Sequence, residues 1–418
     1  MANPKFPTLQ YRIITWALFP AVVAHTAYTA LKHKSLAYFL QRFASYNNQT
    51  KIKTRPIWCH CASVGEINTA LPLLQFLINQ GESLIITTNT PTGYQTLTKA
   101  KLKNTHHFYL PLDYALLAKR YLRRFQPKQC FIFETELWPS TLLTAMRNNI
   151  HVVIVNGRIS KKTLKAPAFL LKNYQRILSN TYKILSSSEE NSTRFISLGA
   201  NSESISTLDN LKFANTQIDE NENIANPLTF PYLLCASTHE GEEEQILNAW
   251  VNHANNEIAL VIAIRHPQRI NQVIRTLEKS QLSFNLHSSN HESANKDSIY
   301  IIDTLGELMP FIAHAKMVFM GGSLVPVGGH NMIEPALYKR PILIGPYHDD
   351  FKSIVNDLLS QNAIEIVQNA EQLIEKFLLY NTKKKEYLEL GENAYRYIKS
   401  RQQVLNIYKS TLLTLIKS

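Results

Sequence analysis

The stretch PIWCHCASVGEINTALPLLQFLINQGESLIITT, residues 56–88, decides the fold class. Its opening, PIWCHCAS (56–63), is an apolar run with β-forming residues and reads as a buried strand. The turn Ser63-Val64-Gly65-Glu66 follows. Beyond it Ile67, Ala70, Leu71, Leu74, Leu77 and Ile78 recur at three- and four-residue spacing, which predicts an amphipathic helix. SLIITT (83–88) is a second buried strand. Strand, helix and strand in succession make a βαβ unit, whose two strands lie parallel with helices covering the sheet.

The same alternation continues outward. QCFIFE (129–134), HVVIVNG (151–157) and YKILSSS (182–188) read as further strands, separated by helical stretches. A polar segment, NTQIDENENIANP (215–227), interrupts the pattern and reads as a linker. Strands then resume at YLLCAST (232–238), IALVIAIR (258–265), SIYIID (298–303), KMVFMGG (316–322), PILIGP (341–346) and AIEIV (363–367). The expectation is an α/β protein of two Rossmann-like, doubly wound domains facing a cleft, with ligands held beyond the carboxyl ends of the strands. The domains expected are an N-terminal segment over 1–34, a first domain over 35–214, and a second over 215–418 that includes the C-terminal helices. No repeat of solenoid period is present.

Charge divides the chain along the same line. Residues 1–210 hold 25 Lys and Arg against 9 Asp and Glu, a net +16, whereas residues 211–418 hold 19 against 23, a net −4. Residues 1–50 contain no acidic residue. One domain therefore expects an anionic partner: nucleic acid, acidic lipid or a phosphorylated substrate. The cysteines Cys59, Cys61, Cys130 and Cys235 lack C-x-x-C spacing, and most lie in apolar strands, so they read as buried, reduced thiols. Ile13 to Leu31 is a 19-residue, mostly apolar run flanked by Lys5, Arg12, Lys32 and Lys34, with Trp16 and Tyr28 near its ends. It reads as a membrane anchor or partly inserted helix, with a cleaved signal peptide and a soluble core helix as alternatives.

Four polar groups cap apolar strands. Glu66 sits at a strand's carboxyl end and a helix's amino end, where it is either a general base or an ordinary first-turn residue. Glu134 and Glu136 flank Thr135 directly after another strand. Alternation in an extended chain points them to opposite sides, so at most one should face the cleft, with capping as the structural reading. The segment Gly321-Gly322-Ser323 to Gly328-Gly329-His330-Asn331-Met332-Ile333-Glu334 runs from a strand through a Gly-rich loop into a helix. Its free N–H groups suit a phosphate, and Glu334 suits ribose hydroxyls. Ser237-Thr238-His239 and Arg265-His266-Pro267 end two more strands, Asp303-Thr304-Leu305-Gly306-Glu307 a third, and Arg265 suits a phosphate. The run Glu242-Glu243-Glu244 reads as a solvated helix start. There is no D-x-D, no H-E-x-x-H and no paired His/Cys set, so no metal or other cofactor is expected.

Taken in order, SVGE (63–66), ETELWP (134–139), NGRIS (156–160), NLKF (210–213), STHEGEEE (237–244), RHPQR (265–269), DTLGEL (303–308) and GGSLVPVGGHNMIEPA (321–336) resemble the 3-deoxy-D-manno-octulosonic acid (Kdo) transferase family over about residues 35–400. The resemblance implies a GT-B fold and an inverting transfer of Kdo from CMP-Kdo to a lipid A precursor, lipid IVA, at the cytoplasmic face of the bacterial inner membrane. The acceptor would bind the N-terminal domain and the CMP-sugar the C-terminal one. By motif, Glu66 resembles the catalytic base, and Glu136 and Lys212 the residues supporting the transition state. Ile264-Arg265, Leu305-Gly306-Glu307 and Asn331-Met332-Ile333-Glu334 resemble the nucleotide-binding set. Gly328, Gly329 and His330 form the expected phosphate loop. Departures from the family pattern are Ile264 and Met332, each commonly Pro, Asp209, usually Gly, and Glu240, usually Pro.

Other readings remain at this stage: a GT-B glycosyltransferase or epimerase using a UDP-sugar, an inactive membrane-docked module, or a basic nucleic-acid-binding protein. The dispersal of the basic residues and the lack of a nucleic-acid motif speak against the last. Anionic inner-membrane lipids are expected partners of the basic half. Members adding one, two or three Kdo residues share these motifs, and oligomeric state leaves no signal in them.

Overall fold

The computed structural model describes residues 4–46, 52, 54–215, 224–251, 258–289 and 295–417. Residues 216–223, most of the expected linker, lie outside the described residues. The chain divides into two compact units, Met1–Asn215 with Gln403–Ser418, and Thr216–Gln402.

The first unit is built on seven parallel strands: β1 (Ile57–His60), β2 (Leu84–Thr88), β3 (Thr105–Tyr109), β4 (Gln129–Phe133), β5 (His151–Gly157), β6 (Lys183–Ser186) and β7 (Ile205–Thr207), in the order β3-β2-β1-β4-β5-β6-β7. β1 pairs with β2 on one side, Ile57 opposite Leu84, and with β4 on the other, Ile57 opposite Gln129. The strand order reverses between β1 and β4, so the loops leaving those two strands diverge and open a crevice. β1, β2 and β4 are buried along their whole length because helices cover both faces, which explains their unbroken apolar runs.

The second unit repeats the plan with β8 (Tyr232–Thr238), β9 (Ala259–Ile264), β10 (Phe284–Leu286), β11 (Ile299–Ile302), β12 (Val318–Met320), β13 (Ile342–Ile344) and β14 (Glu365–Ile366), in the order β10-β11-β9-β8-β12-β13-β14, again all parallel. Its switch point lies between β8 and β12. The strands absent from the sequence reading, β3, β7 and β10, lie toward sheet edges, and β7 and β10 are half-buried throughout. An edge strand with a wet face needs no continuous apolar run.

Two expectations are corrected. The last helix, Val404–Lys417, packs with the first unit, so the second unit stops at Gln402 and not at 418. Val404, Leu405, Tyr408, Leu412 and Leu415 share a core with Ile57, Leu73, Leu77 and Phe131, and Gln129 donates to the Leu415 carbonyl. The apolar run Ile13–Leu31 is likewise not one helix. It is broken at Leu18 into Leu9–Ala17 and Phe19–Lys32, bent by 53°, with Pro20 in the first turn of the second. No single helix among the described residues is long and apolar enough to cross a membrane, although the bent pair together has the length and composition. The segment is fastened to the first unit. The Tyr11 hydroxyl donates to Asp113 Oδ2 at 2.6 Å, Thr8 and Asn173 exchange two hydrogen bonds, and Tyr114 donates to the Thr15 carbonyl. Leu9, Ile13, Trp16, Leu18, Tyr28, Leu31 and Leu36 all remain exposed.

Candidate active site

In the first unit the chemistry gathers at the crevice between β1 and β4. Glu66 is the third residue of the helix Val64–Asn79, whose N-cap is Ser63. The two form a variant of the capping box, the carboxylate taking the Ala62 N–H in place of the N-cap N–H. The Glu66 N–H donates to Ser63 Oγ at 3.4 Å, Ser63 Oγ donates to Glu66 Oε1 at 3.2 Å, and the Ala62 N–H donates to Glu66 Oε2 at 2.7 Å. The carboxylate therefore has a structural duty, yet each oxygen keeps a second lone pair. Only 9% of the residue is exposed. Burial pushes its pKa up to about 8, the Ala62 and Ser63 bonds resist that rise, and the carboxyls of Glu134 and Glu136 reinforce it.

Glu134 and Glu136 thus both act on Glu66, contrary to the alternation expected of an extended chain. Glu134 adopts the left-handed conformation, φ 57°, which breaks the two-residue period. Glu134 pairs with Arg158 at 3.6 Å. Glu136 Oε2 accepts from the Trp138 indole at 2.8 Å and from Asn89 at 3.2 Å. Burial raises its pKa, those two bonds lower it, and Glu134 raises it further. Arg42, which donates to Asn89 Oδ1 and the Leu110 carbonyl, also steadies the Glu136 charge.

Lys212 lies on the turn Leu211–Asn215, which packs against the helix carrying Glu66. The buried side chain of Asn156, at the end of β5, accepts the Leu211 N–H at 2.9 Å, and the Tyr408 hydroxyl donates to the Asp209 carbonyl at 3.1 Å. Asp209 has φ 65°. The position where the family usually has Gly is thus left-handed, a conformation Asp tolerates better than most residues.

In the second unit β8, β9, β11 and β12 deliver the remaining candidates to one edge of the sheet. Glu242 is fully buried, and with Glu243 it corrects the expectation of a solvated run. Its carboxylate accepts N–H bonds from His239 (2.9 Å), Gly322 (2.6 Å), Ser323 (2.9 Å) and Leu324 (2.8 Å), tying the ends of β8 and β12 together. Glu243 accepts both guanidinium nitrogens of Arg269 and the Thr238 hydroxyl. Only Glu244 faces solvent. A Cβ on Gly321 would lie 2.6 Å from the Ser237 carbonyl oxygen, so only glycine allows this approach.

At this switch point the rings of His239 and His330 stack, with their Nε2 atoms 2.8 Å apart, and His266 meets His239 edge-on. Burial first, then His239, Arg265 and His266, depress the His330 pKa to about 4. Gly328 and Gly329 carry φ 114° and 81°, and lead through Asn331 into the short helix Ile333–Leu337. Asn331 accepts the Ile333 N–H and hydrogen-bonds Glu334, whose carboxyl is raised by burial and lowered by Asn331 and Arg265. Arg265, His330, Asn331 and Glu334 therefore come together. Ile264, Met332 and Ile333 bury their side chains, leaving only main-chain groups for a ligand. Leu305 is exposed, Gly306 has φ 90°, and Glu307 pairs with His287 at 3.2 Å.

A family model described as 3-deoxy-D-manno-octulosonic-acid transferase (kdotransferase) matches residues 37–215. The 3-deoxy-D-manno-octulosonic acid transferase of Haemophilus influenzae is 30% identical over 390 residues, covering 90% of each chain. The chain belongs to the Kdo transferase family. The enzyme of the same name from Rickettsia conorii is 31% identical over 369 residues, 86% of this chain and 79% of that one. A glycosyltransferase from Rickettsia africae, 13% identical, superposes with a TM-score of 0.61 over 88% of this chain and 98% of that one, a likeness of fold alone. The two doubly wound domains, of GT-B type, are thus shared with structural neighbours. Within this Kdo transferase family member, Glu66, Glu136 and Lys212 all fall inside the matched residues. Arg42, His60 and Asn89 belong to the same crevice but were missed. The one signal in sequence was His60, a polar residue at the carboxyl end of an otherwise apolar strand.

Proposed function

We propose that the chain is an inverting glycosyltransferase that moves Kdo from CMP-Kdo to a lipid A precursor in lipopolysaccharide synthesis. The observation that carries the reading is the position of Glu66. A carboxyl of raised pKa sits at the topological switch point, with an unused lone pair on each oxygen and two further carboxyls beside it.

The chemistry is a single displacement. A hydroxyl of the acceptor glucosamine gives its proton to Glu66, its oxygen forms the bond to the anomeric carbon of Kdo, and the bond to the CMP phosphate oxygen breaks on the opposite face. With a pKa of about 8, only about a tenth of Glu66 is ionised at pH 7, so the rate should climb as pH rises toward 8. Glu136 and Lys212 are assigned to support of the transition state. Glu136 offers negative charge to the electron-poor anomeric centre, and Lys212 offers positive charge to the departing phosphate. Arg265 with the Gly328–His330 loop would hold that phosphate, Glu334 the ribose, and the main chain at Ile264, Met332, Ile333 and Leu305–Glu307 the rest of the nucleotide. No metal or other cofactor is assigned a step. The exposed apolar row on the bent N-terminal helix pair, with Lys5, Arg12, Lys32 and Lys34 around it, suits the anionic surface of the inner membrane at its cytoplasmic face.

The test is Glu66→Gln, which keeps the capping box because Gln serves there as well as Glu. Single-turnover transfer with saturating CMP-Kdo and lipid acceptor should fall at least about 100-fold, while CMP affinity stays within a few-fold. Near-wild-type transfer would remove Glu66 from the mechanism. Turnover of a UDP-sugar in place of CMP-Kdo, in a donor panel read by mass spectrometry, would overturn the substrate assignment.

A further inference from the structure

His60 closes β1 at the crevice and is completely buried. Its Nε2 has no hydrogen-bond partner among the described residues and lies 4.0 Å from Glu136 Oε2. Its Nδ1 faces Thr87 across the β1–β2 pair, 2.9 Å from Oγ1 and 3.1 Å from the carbonyl oxygen.

The proton inventory of this corner decides which ring nitrogen is protonated. The Trp58 indole N–H can only donate, and it donates to Thr87 Oγ1 at 2.8 Å. Thr87 Oγ1 accepts that bond and has one proton of its own to give. The acceptor within reach is His60 Nδ1, provided that nitrogen is bare. Neutral imidazole then carries its proton on Nε2, aimed at Glu136. The other tautomer would add a second bond to the Thr87 carbonyl, which already accepts the Cys61 N–H at 3.0 Å, but it would strand the Thr87 hydroxyl proton and set a lone pair against a carboxylate.

We propose that His60 is a positioning residue for Glu136, fixed by the Trp58–Thr87 relay with its proton on Nε2 and donating to Glu136 Oε2 when the acceptor closes the site. Closure has to shorten 4.0 Å to about 3 Å, within reach of a small side-chain adjustment, since hydrogen bonds at unliganded sites are commonly long. Burial depresses the His60 pKa to about 3, with the Thr87 carbonyl opposing the shift and Arg42 adding to it, so the ring stays neutral through the working range and supplies a donor without adding charge. The groups facing the dyad are the Glu134 carboxyl, which opposes ionisation of Glu136, Arg42, which favours it, and the Glu66 carboxyl and Tyr174 hydroxyl, whose own ionisation Glu136 opposes. Trp138 and Asn89 already donate to the same Oε2. A third N–H would hold Glu136 ionised at the moment positive charge develops on the sugar.

The role of Glu136 in this proposal rests on the transferase reading, whereas the position of the proton does not. The experiment therefore has two arms. Nitrogen-15 spectra of the full chain labelled at histidine, with His60 assigned by the signals lost in His60→Gln, should show Nε2 protonated and Nδ1 bare. In Thr87→Val the proton should move to Nδ1. In kinetics, Thr87→Val should lower kcat at least about 10-fold, leave KM for CMP-Kdo within about twofold, and move the acid limb of the pH profile upward. His60→Gln, which restores an N–H near Nε2, should keep more activity than His60→Leu. A proton on Nδ1 in the wild type overturns the proposal outright. So does a Thr87→Val protein with unchanged kcat and pH profile. A correct tautomer in a chain that transfers no Kdo would instead sink the transferase reading.

Discussion

The raised pKa of Glu66 makes a stability prediction that needs no substrate. A carboxyl that ionises near pH 4.5 in the unfolded chain and near 8 in the folded one binds an extra proton on folding throughout that interval. Its contribution is fully present below pH 4.5 and is lost as pH rises through 8, at about 1.36 kcal/mol per pH unit between the two. Across the interval the wild type therefore forfeits about 4–5 kcal/mol at this one site. Glu66→Gln has no proton to lose, so its stability should not carry that slope. Urea unfolding of both proteins at pH 5, 6, 7 and 8, followed by a probe in the first unit such as Trp58 or Trp138 fluorescence, gives the comparison. The advantage of the Gln variant should widen steadily by about 1 kcal/mol or more per pH unit. Curves that stay parallel from pH 5 to 8 would mean that Glu66 titrates as an ordinary carboxyl. Both the desolvation argument and the expected climb of rate with pH would then fail together.

Three further outcomes follow from other parts of the molecule. Glu334→Ala in the full chain should weaken CMP binding, measured by titration calorimetry, and wild-type affinity would remove that carboxylate from the site. Glu242→Ala strands four N–H groups, those of Gly322, Ser323 and Leu324 buried, and should cost at least about 3 kcal/mol, read as a fall in Tm. Deleting residues 1–34 should release most of the protein from membranes while leaving CMP binding intact. Loss of the Tyr11–Asp113 and Thr8–Asn173 bonds should lower the Tm of the first unit as well, and pelleting that survives high salt would point to a different docking surface.

The legible parts of the fold were those governed by local pattern. β1, β4 and β8 are buried on both faces, so their apolar runs showed directly, and Glu66 showed as the acidic residue three positions after a Ser at a strand-to-helix turn. What stayed hidden depends on partners remote in sequence. Glu242 reads as one charge in an acidic run until Gly322, 80 residues on, supplies its N–H. The convergence of Glu134 and Glu136 on Glu66 needs a left-handed Glu134, and nothing local marks a glutamate for that conformation. Arg42 and Asn89 reach Glu136 only because the sheet brings the segments before β1 and after β2 to the end of β4.

The placement of the helix Val404–Lys417 has a consequence for biosynthesis. The second unit is an insertion within the first, and the ribosome makes all of Thr216–Gln402 before it makes the helix that finishes the earlier core. Until then Tyr408 cannot hold the Asp209 carbonyl, and the apolar surface that its helix covers stays open. The later unit can thus fold while the earlier one still waits, reversing the usual amino-to-carboxyl order. A frameshift or protease cut beyond residue 403 would also be felt some two hundred positions upstream, at the turn that carries Lys212.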